Sequence, residues 1–439
     1  MEIVKNKISV DKYSSYKDSG ISWLEEVPEH WKLKRFKHIF KEKKITHNVE
    51  LNCGSISFGK VVYKDDEKVP VSTKKSYQVL NKGEFLINPL NLYYDLKSLR
   101  IGLSDKDVVV SSGYIIVQND TELSKDYYKW LLHIFDIAFM KTLGSGVRQT
   151  LSFTHIANSE LVFPPLSEQT EIAQFLDDKT TKIDEAIAIK EQQISLLKER
   201  KQILIHKAVT RGLNPNATLK DSGLESIGEI PKHWEVKRFR YVFNLGKGLT
   251  ITKENLRDEG VFCVNYGEIH SKYGFELDTN IHKLKCVEEE YLLSNLKALI
   301  NNGDFVFADT SEDIEGSGNF TYLKSDDEIF AGYHTIIAKP KFKIESRFFA
   351  YEFESESFRN QIRTKVKGVK VYSITQSILK EPTVWIPPKN EQKEIVDYLD
   401  AETNKINTAI GLKQKEIDKL KEYKSSLINS VVTGKVKVC

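Results

Sequence analysis

The chain has 439 residues, 40% of them hydrophobic and 10% aromatic, enough for two or three domains with their own cores and far from the composition of a disordered chain. Its 65 basic and 62 acidic residues leave a net charge of +3, so charge alone does not announce nucleic acid, and any basic surface must be local. There is no apolar run long enough to span a bilayer and no signal-peptide core, which points to a soluble, cytoplasmic protein; the four cysteines, Cys53, Cys263, Cys286 and Cys439, have neither disulfide nor zinc spacing.

Taken from the N-terminus, the first readable element is a phrase that occurs twice. KDSGISWLEEVPEHWKLKRF from Lys17 and KDSGLESIGEIPKHWEVKRF from Lys220 agree at eleven of twenty positions. Short β-branched and aromatic runs follow the first copy (CGSISFGKVVY, GEFLINPLNLYY, DVVVSSGYIIVQ), then a helical pattern in SKDYYKWLLHIFDIAF. GSISFGKV from Gly54 fits G-x-x-x-x-G-K, but Val61 stands where a phosphate-binding loop needs Ser or Thr, and no strand-loop-helix context surrounds it. INPL at Ile87–Leu90 lacks the second Pro and the aromatic of an amino-methyltransferase motif and reads as a turn.

A second duplicated phrase closes each unit: PPLSEQTEIAQFLD from Pro164 and PPKNEQKEIVDYLD from Pro387 share eight of fourteen positions. Ser167 and Asn390 are the predicted N-caps of long helices, with Glu168 and Glu171, or Glu391 and Glu394, set against the helix dipole. Ile183, Ile187, Ile194, Leu197, Leu204 and Ala208 then form a narrow apolar seam, and Ile406, Ile410, Ile417, Leu420, Leu427 and Val431 repeat it. Gly212 and Gly434 are the predicted C-terminal caps. The polar run DDKTTK from Asp177 is a place for a kink; residues 182–211 alone make a helix of roughly 45 Å. Between the copies in the second unit, GDFVFADT and YHTIIAKP read as strands and ESRFFAYEFESESFRNQI as a helix.

The expected fold class is α/β (α+β): two strand-rich bodies separated by a pair of long antiparallel helices in a coiled coil, with a pseudo-two-fold internal repeat. The frame is duplicated and the inserts differ, as one mechanical role played on two targets requires. No dinucleotide or S-adenosylmethionine fingerprint, no Ser/His/Asp arrangement and no metal-ligand spacing of histidines is present. His30 and His233, beside Trp31 and Trp234, read as packing and hydrogen-bonding residues. The sequence describes a binding scaffold without catalytic groups.

The order, duplication and spacing of Ile/Val-Pro-x-His-Trp, a variable strand-rich segment, PP-x-x-EQ-x-x-I-x-x-x-L and a long helix resemble the specificity subunit of type I restriction-modification systems, from about Lys17 to Lys435. The resemblance implies a first target recognition domain over 1–166, a helical spacer over 167–212, a second recognition domain over 213–389 and a second spacer over 390–439. Each recognition domain would read one half of a split site on double-stranded DNA. The helices would set the distance between halves and dock two methyltransferase subunits, with restriction subunits joining the full complex. No cofactor is expected on this chain; S-adenosylmethionine, ATP and Mg²⁺ would belong to the partner subunits, and no membrane is involved. Reading DNA needs cations for phosphates and amide or guanidinium groups for base edges. The candidates are Lys34, Arg35, Lys237 and Arg238 in the repeated phrase, Arg148 and Gln149 in GSGVRQT, Lys247 and Lys253 in GKGLTITK, and Lys365, Lys367 and Lys370 in KVKGVKVYS. A bivalent RNA- or protein-binding adaptor on the same coiled coil is the alternative.

Overall fold

In the computed structural model, which describes residues 11–90, 99–142, 151–224, 227–368 and 371–438, contacts divide the chain into two compact units: 1–190 with 415–439, and 191–414. The long helices are Leu166–Arg211 and Lys389–Val432. Each unit therefore owns the start of one helix and the end of the other. In the first unit Asp184 pairs with Lys424 and Lys190 with Glu416, so partner numbers fall as they rise and the helices run antiparallel. In the second, Lys413 donates to Gln193 (2.6 Å) and Lys201 to Asn407 (3.1 Å), again antiparallel. Both predicted seams are buried or half-buried along their length while the charged residues between them are largely exposed. The run DDKTTK stays helical, and the Thr181 hydroxyl donates back to the Asp177 carbonyl (2.7 Å).

Both helices begin two residues earlier than the predicted N-caps place them, so Ser167 and Asn390 lie inside the first turn rather than capping it. The Gln of each Glu-Gln pair explains this. The Gln169 backbone N–H bonds to Pro165 O (3.0 Å), its Nε2 donates to Pro164 O (2.9 Å), and its Oε1 accepts from the Ser124 N–H (2.9 Å). Gln392 repeats the set with Pro388 O (3.0 Å), Pro387 O (2.8 Å) and the Glu345 N–H (3.1 Å). One side chain thus closes the Pro-Pro turn and ties it to the start of the helix inserted before it.

The other duplicated residues are consumed in the same way. Glu168 accepts from His30 Nε2 (2.7 Å), Trp31 Nε1 (2.9 Å) and the Tyr13 hydroxyl (3.0 Å). Glu391 accepts from His233 Nε2 (2.8 Å), while Trp234 Nε1 is buried without a partner among the described residues. Lys17 donates to Trp31 O (2.6 Å) and Lys220 to Trp234 O (2.5 Å). Asp177 accepts from Lys129 Nζ and Trp130 Nε1, both at 2.9 Å; Asp400 takes Arg347 Nε on both oxygens (2.8 Å each) and the Tyr351 hydroxyl (2.5 Å). The last residue of each duplicated phrase therefore clamps the insert's helix to a long helix. Gly212 and Gly434, at φ +67° and +78°, end the long helices; a Cβ would lie 3.2 Å from the Trp234 ring at the first and 2.9 Å from the Trp31 ring at the second.

The strand Lys32–Arg35 pairs with Glu160–Phe163 in the first unit, and Glu235–Arg238 with Thr383–Ile386 in the second, so each opening phrase is laced to the strand that leads into its Pro-Pro edge. Beyond this frame the inserts diverge. The first is built on an antiparallel sheet ordered Phe40–Glu42, Ile115–Asn119, Phe85–Ile87, Ile101–Leu103. The second has a five-stranded sheet ordered Phe243–Lys247, Thr335–Pro340, Phe305–Ala308, Phe320–Leu323, Phe275–Leu277, and a four-stranded mixed sheet beside it. Trp31, Phe36, Phe40, Tyr127 and Phe135 centre one core; Trp234, Phe239, Phe243, Phe305 and Phe353 centre the other. Each fully buried Trp contributes on the order of 5 kcal/mol of hydrophobic transfer free energy before entropy is counted.

The predicted helix ESRFFAYEFESESFRNQI is broken at Ser355, which is extended (φ −69°, ψ 143°) and whose hydroxyl accepts from the Phe358 N–H to start a new helix, Glu356–Arg363. Cys53, Cys263 and Cys286 are buried free thiols, and burial pushes the Cys263 thiol well up, keeping it protonated. No helix among the described residues is long and apolar enough to cross a membrane.

Candidate nucleic-acid interface

Among the predicted cations, those of the repeated phrase lie at the strand pairs and fare unequally. Lys34 is half-buried with Nζ 3.5 Å from the Phe163 ring centroid. Lys237 pairs with Glu235 (2.6 Å) and lies over Phe342 at 5.7 Å. Arg238 donates to Glu381 O (2.8 Å) and its carboxylate (3.3 Å), whereas Arg35 is exposed and makes no side-chain bond among the described residues. The difference has a simple origin: position 158, where the first unit would place the counterpart of Glu381, is Asn.

In the second unit Lys247, Lys253, Lys365 and Lys367 are all exposed and unpaired among the described residues. Backbone pairing brings two of them to one region. Lys247 ends a strand opposite Ile336; the neighbouring Thr335 pairs with Ala308; Thr310 pairs with Ser373, and Ser373 bridges to Lys367. Gln376 Nε2 fastens this segment to Gly246 O (3.0 Å). Lys253 opens a separate 3-10 turn and Lys365 follows the short helix ending at Arg363. Arg148, Gln149 and Lys370 lie outside the described residues.

Beside the Lys367 strand pair is a cavity of about 770 Å³ lined by Tyr266, His270, Thr310, Asn319, His334 and Val371, with Glu312, Asp313 and Glu315 also on its wall. Tyr266 meets Tyr333 and His334 with ring centroids 5.6 and 5.2 Å apart. Asn319 Nδ2 lies 2.8 Å from His270 Nδ1, and His270 Nε2 lies 2.7 Å from Thr310 O; the two bonds fit together when Asn319 donates to Nδ1 and Nε2–H donates to the carbonyl. His334 holds a left-handed backbone (φ +56°) in the turn before Thr335 and bonds to Asp309 (3.1 Å). Aromatic faces, fixed acceptors and neighbouring free lysines are the groups that base edges and phosphates require.

Residues 100–199 and 231–421 match the family described as the type I restriction modification DNA specificity domain. The chain belongs to that family. It is 25% identical over 423 residues to the type I restriction enzyme MjaVIII specificity subunit of Methanocaldococcus jannaschii, covering 94% of each chain. It is 24% identical over 215 residues to the EcoKI specificity subunit of Escherichia coli, 48% of this chain and 45% of that one. A solved chain from a study of complex assembly and conformational transition of the type I R-M system superposes with a TM-score of 0.70 at 13% identity, over 92% of this chain and 98% of that one. The HsdS subunit of Thermoanaerobacter tengcongensis gives 0.51 at 15% identity, over 93% and 98%. The specificity-subunit fold is thus shared well beyond sequence similarity.

Within this specificity-domain chain, the sequence reading missed the cavity residues Tyr266, His270, Asn319 and His334. The signal for one of them was present: Gly332-Tyr333 matches Gly113-Tyr114 across the repeat, and His334 follows directly. The others come from two segments, the helix Tyr266–Ser271 and the stretch around Asn319, that meet only in the folded insert.

Proposed function

We propose that this chain is the DNA-reading subunit of a type I restriction-modification complex, in which each unit reads one half of a split duplex site. The observation that carries this is the division of labour in the fold. The duplicated residues His30/His233, Gln169/Gln392 and Asp177/Asp400 are spent on the frame, and free cations and the aromatic cavity sit on the inserts that differ. Two frames alike in construction with unlike inserts suit two unlike half-sites.

The long helices set the spacer and dock methyltransferase subunits, two per chain, and restriction subunits complete the nuclease. Apolar side chains left exposed on the helices support docking: Ile189 (56%) and Tyr423 (43%) in the first unit, Leu196 (56%), Ile203 (57%) and Leu412 (57%) in the second. The chain contributes recognition and no catalytic group; S-adenosylmethionine, ATP and Mg²⁺ act on the partners.

The test is to express the chain with a type I methyltransferase subunit and map methylated motifs by single-molecule sequencing. A bipartite motif is expected, and exchanging the first insert for that of a relative should change one half only. Binding should weaken steeply with salt as phosphate contacts release counterions. A continuous motif, changes in both halves, or binding of RNA alone would overturn the reading.

A further inference from the structure

The hairpin that carries the G-x-x-x-x-G-K pattern has no part in the frame. Its strands, Gly54–Ser57 and Lys60–Tyr63, pair with Ser57 opposite Lys60, so Phe58 and Gly59 alone make the turn. Both have positive φ, +47° and +74°. That is the geometry of a type I′ turn, for which Asn-Gly and Asp-Gly are preferred because a bulky side chain is disfavoured in the left-handed region. Phe58 occupies the position regardless, and no burial compensates: it is 76% exposed.

The turn is also pinned. A Cβ at Gly102 would lie 2.6 Å from the Gly59 carbonyl oxygen, and a Cβ at Gly59 would lie 3.1 Å from Leu99, so the backbone sits tightly against the strand Ile101–Leu103. The ring is thereby carried at the tip of a well-anchored hairpin. Residues 54–64 include two lysines, Lys60 and Lys64, both exposed and without an ion pair among the described residues, and no acid. Tyr63, 58% exposed on the same hairpin, has Lys106 Nζ 4.9 Å from its ring centroid. A strained, exposed aromatic flanked by free cations has the makeup of a side chain that stacks on bases while its neighbours meet phosphates.

We propose that Phe58 enters the DNA half-site read by the first unit and stacks on a base there, with Lys60 on an adjacent phosphate. This rests on the DNA-reading function proposed above. The discriminating variant is Phe58→Asn, because Asn suits the turn and removes the ring without harming the hairpin. The full chain, co-purified with its methyltransferase partner, would select its site from a random duplex pool. 2-Aminopurine would then be scanned through that site.

The expected result is a thermal midpoint for Phe58→Asn equal to or above that of the parent, with affinity for the selected site reduced on the order of tenfold or more. The fluorescence rise that marks base unstacking in one half-site should vanish with Asn and persist with Phe58→Trp. Unchanged affinity and fluorescence in Phe58→Asn would overturn the proposal alone. So would loss of the methyltransferase from the purified complex with DNA contacts intact, which would assign the ring to a protein interface. Failure of the parent complex to select any duplex would overturn the DNA-reading function, and this proposal with it.

Discussion

Replacing Glu168 and Glu391 separately by Ala compares two copies of one joint inside one chain. Both carboxylates lie in the first turn of a long helix and both accept from a half-exposed histidine, so the dipole and histidine hydrogen-bond losses are common to the two variants, roughly 0.5–2 kcal/mol together. The differences are the buried tryptophan and the half-buried Tyr13 hydroxyl, which also donates to Glu168 (3.0 Å). Trp31 is fully buried and its Nε1 loses its only partner among the described residues when Glu168 is removed, at a cost of about 1–3 kcal/mol for an orphaned donor; Trp234 Nε1 has none among them to lose. Glu168→Ala should therefore destabilise the first unit by about 1–3 kcal/mol more than Glu391→Ala destabilises the second. Glu168→Gln should recover part of the loss by keeping an acceptor for the indole. Hydrogen exchange of peptides covering Trp31 and Trp234, read in the full chain, reports each unit's opening separately. Equal effects in the two units would refute the assignment of the energy to the indole bond.

Glu352 is fully buried, with one carboxylate oxygen accepting from the Trp385 N–H (2.9 Å) and the other unpartnered among the described residues, and burial holds its pKa well above the ordinary range. Its folded pKa lies above its unfolded value of about 4.3, so stability is full below that value and is lost as pH rises toward the folded pKa. Glu352→Gln should match the parent in acid and exceed it increasingly toward neutral pH in urea midpoints; a gap independent of pH would contradict this. Arg35→Ala should leave the urea midpoint unchanged and lower the salt slope of DNA binding by about 1, whereas Arg238→Ala, which removes two bonds to Glu381 and leaves its carboxylate to Arg240 (3.3 Å), should lower the midpoint slightly. Four residues added between Ile194 and Leu204 lengthen the first long helix by roughly 6 Å, nearly two base pairs at about 3.4 Å each. Methylation mapping should then show a spacer longer by one or two base pairs with both half-sequences intact, and an unchanged spacer at full activity would show that the helices do not set it.

Features written in local periodicity were legible from the sequence. The seams through Ile183 and Ile406 and the left-handed caps at Gly212 and Gly434 needed only helix geometry to find. The duplicated phrases could be seen but not interpreted, because their partners are distant in sequence: Glu168 meets His30 138 positions away, and Arg238 meets Glu381 143 away. Propensity named Ser167 as a cap where the Gln169 side chain closes the turn instead, an interaction that requires the Pro-Pro carbonyls and the Ser124 amide to be in place. The break at Ser355 was within reach, since a serine followed by Glu356 inside an apolar helical run is a helix start. Among the cations, exposure was foreseeable for Lys365 and Lys367, but only the fold shows that Glu381 occupies Arg238 while Arg35 stands alone.

The exchange of helix ends between the units also fixes an order of events on the ribosome. Residues 191–414 are one continuous stretch and can close around Trp234 as soon as they have emerged. The first unit cannot. Its core around Trp31 includes Ile428, Val431 and Val432, and the Tyr127 hydroxyl donates to Val432 O (2.8 Å), so this earlier segment cannot complete its core before residues 428–432 are made. Until then the side of its core that those residues cover is incomplete, contrary to the usual N-to-C progress of domain folding. Damage to Ile428, Val431 or Val432 should therefore surface as misfolding around Trp31.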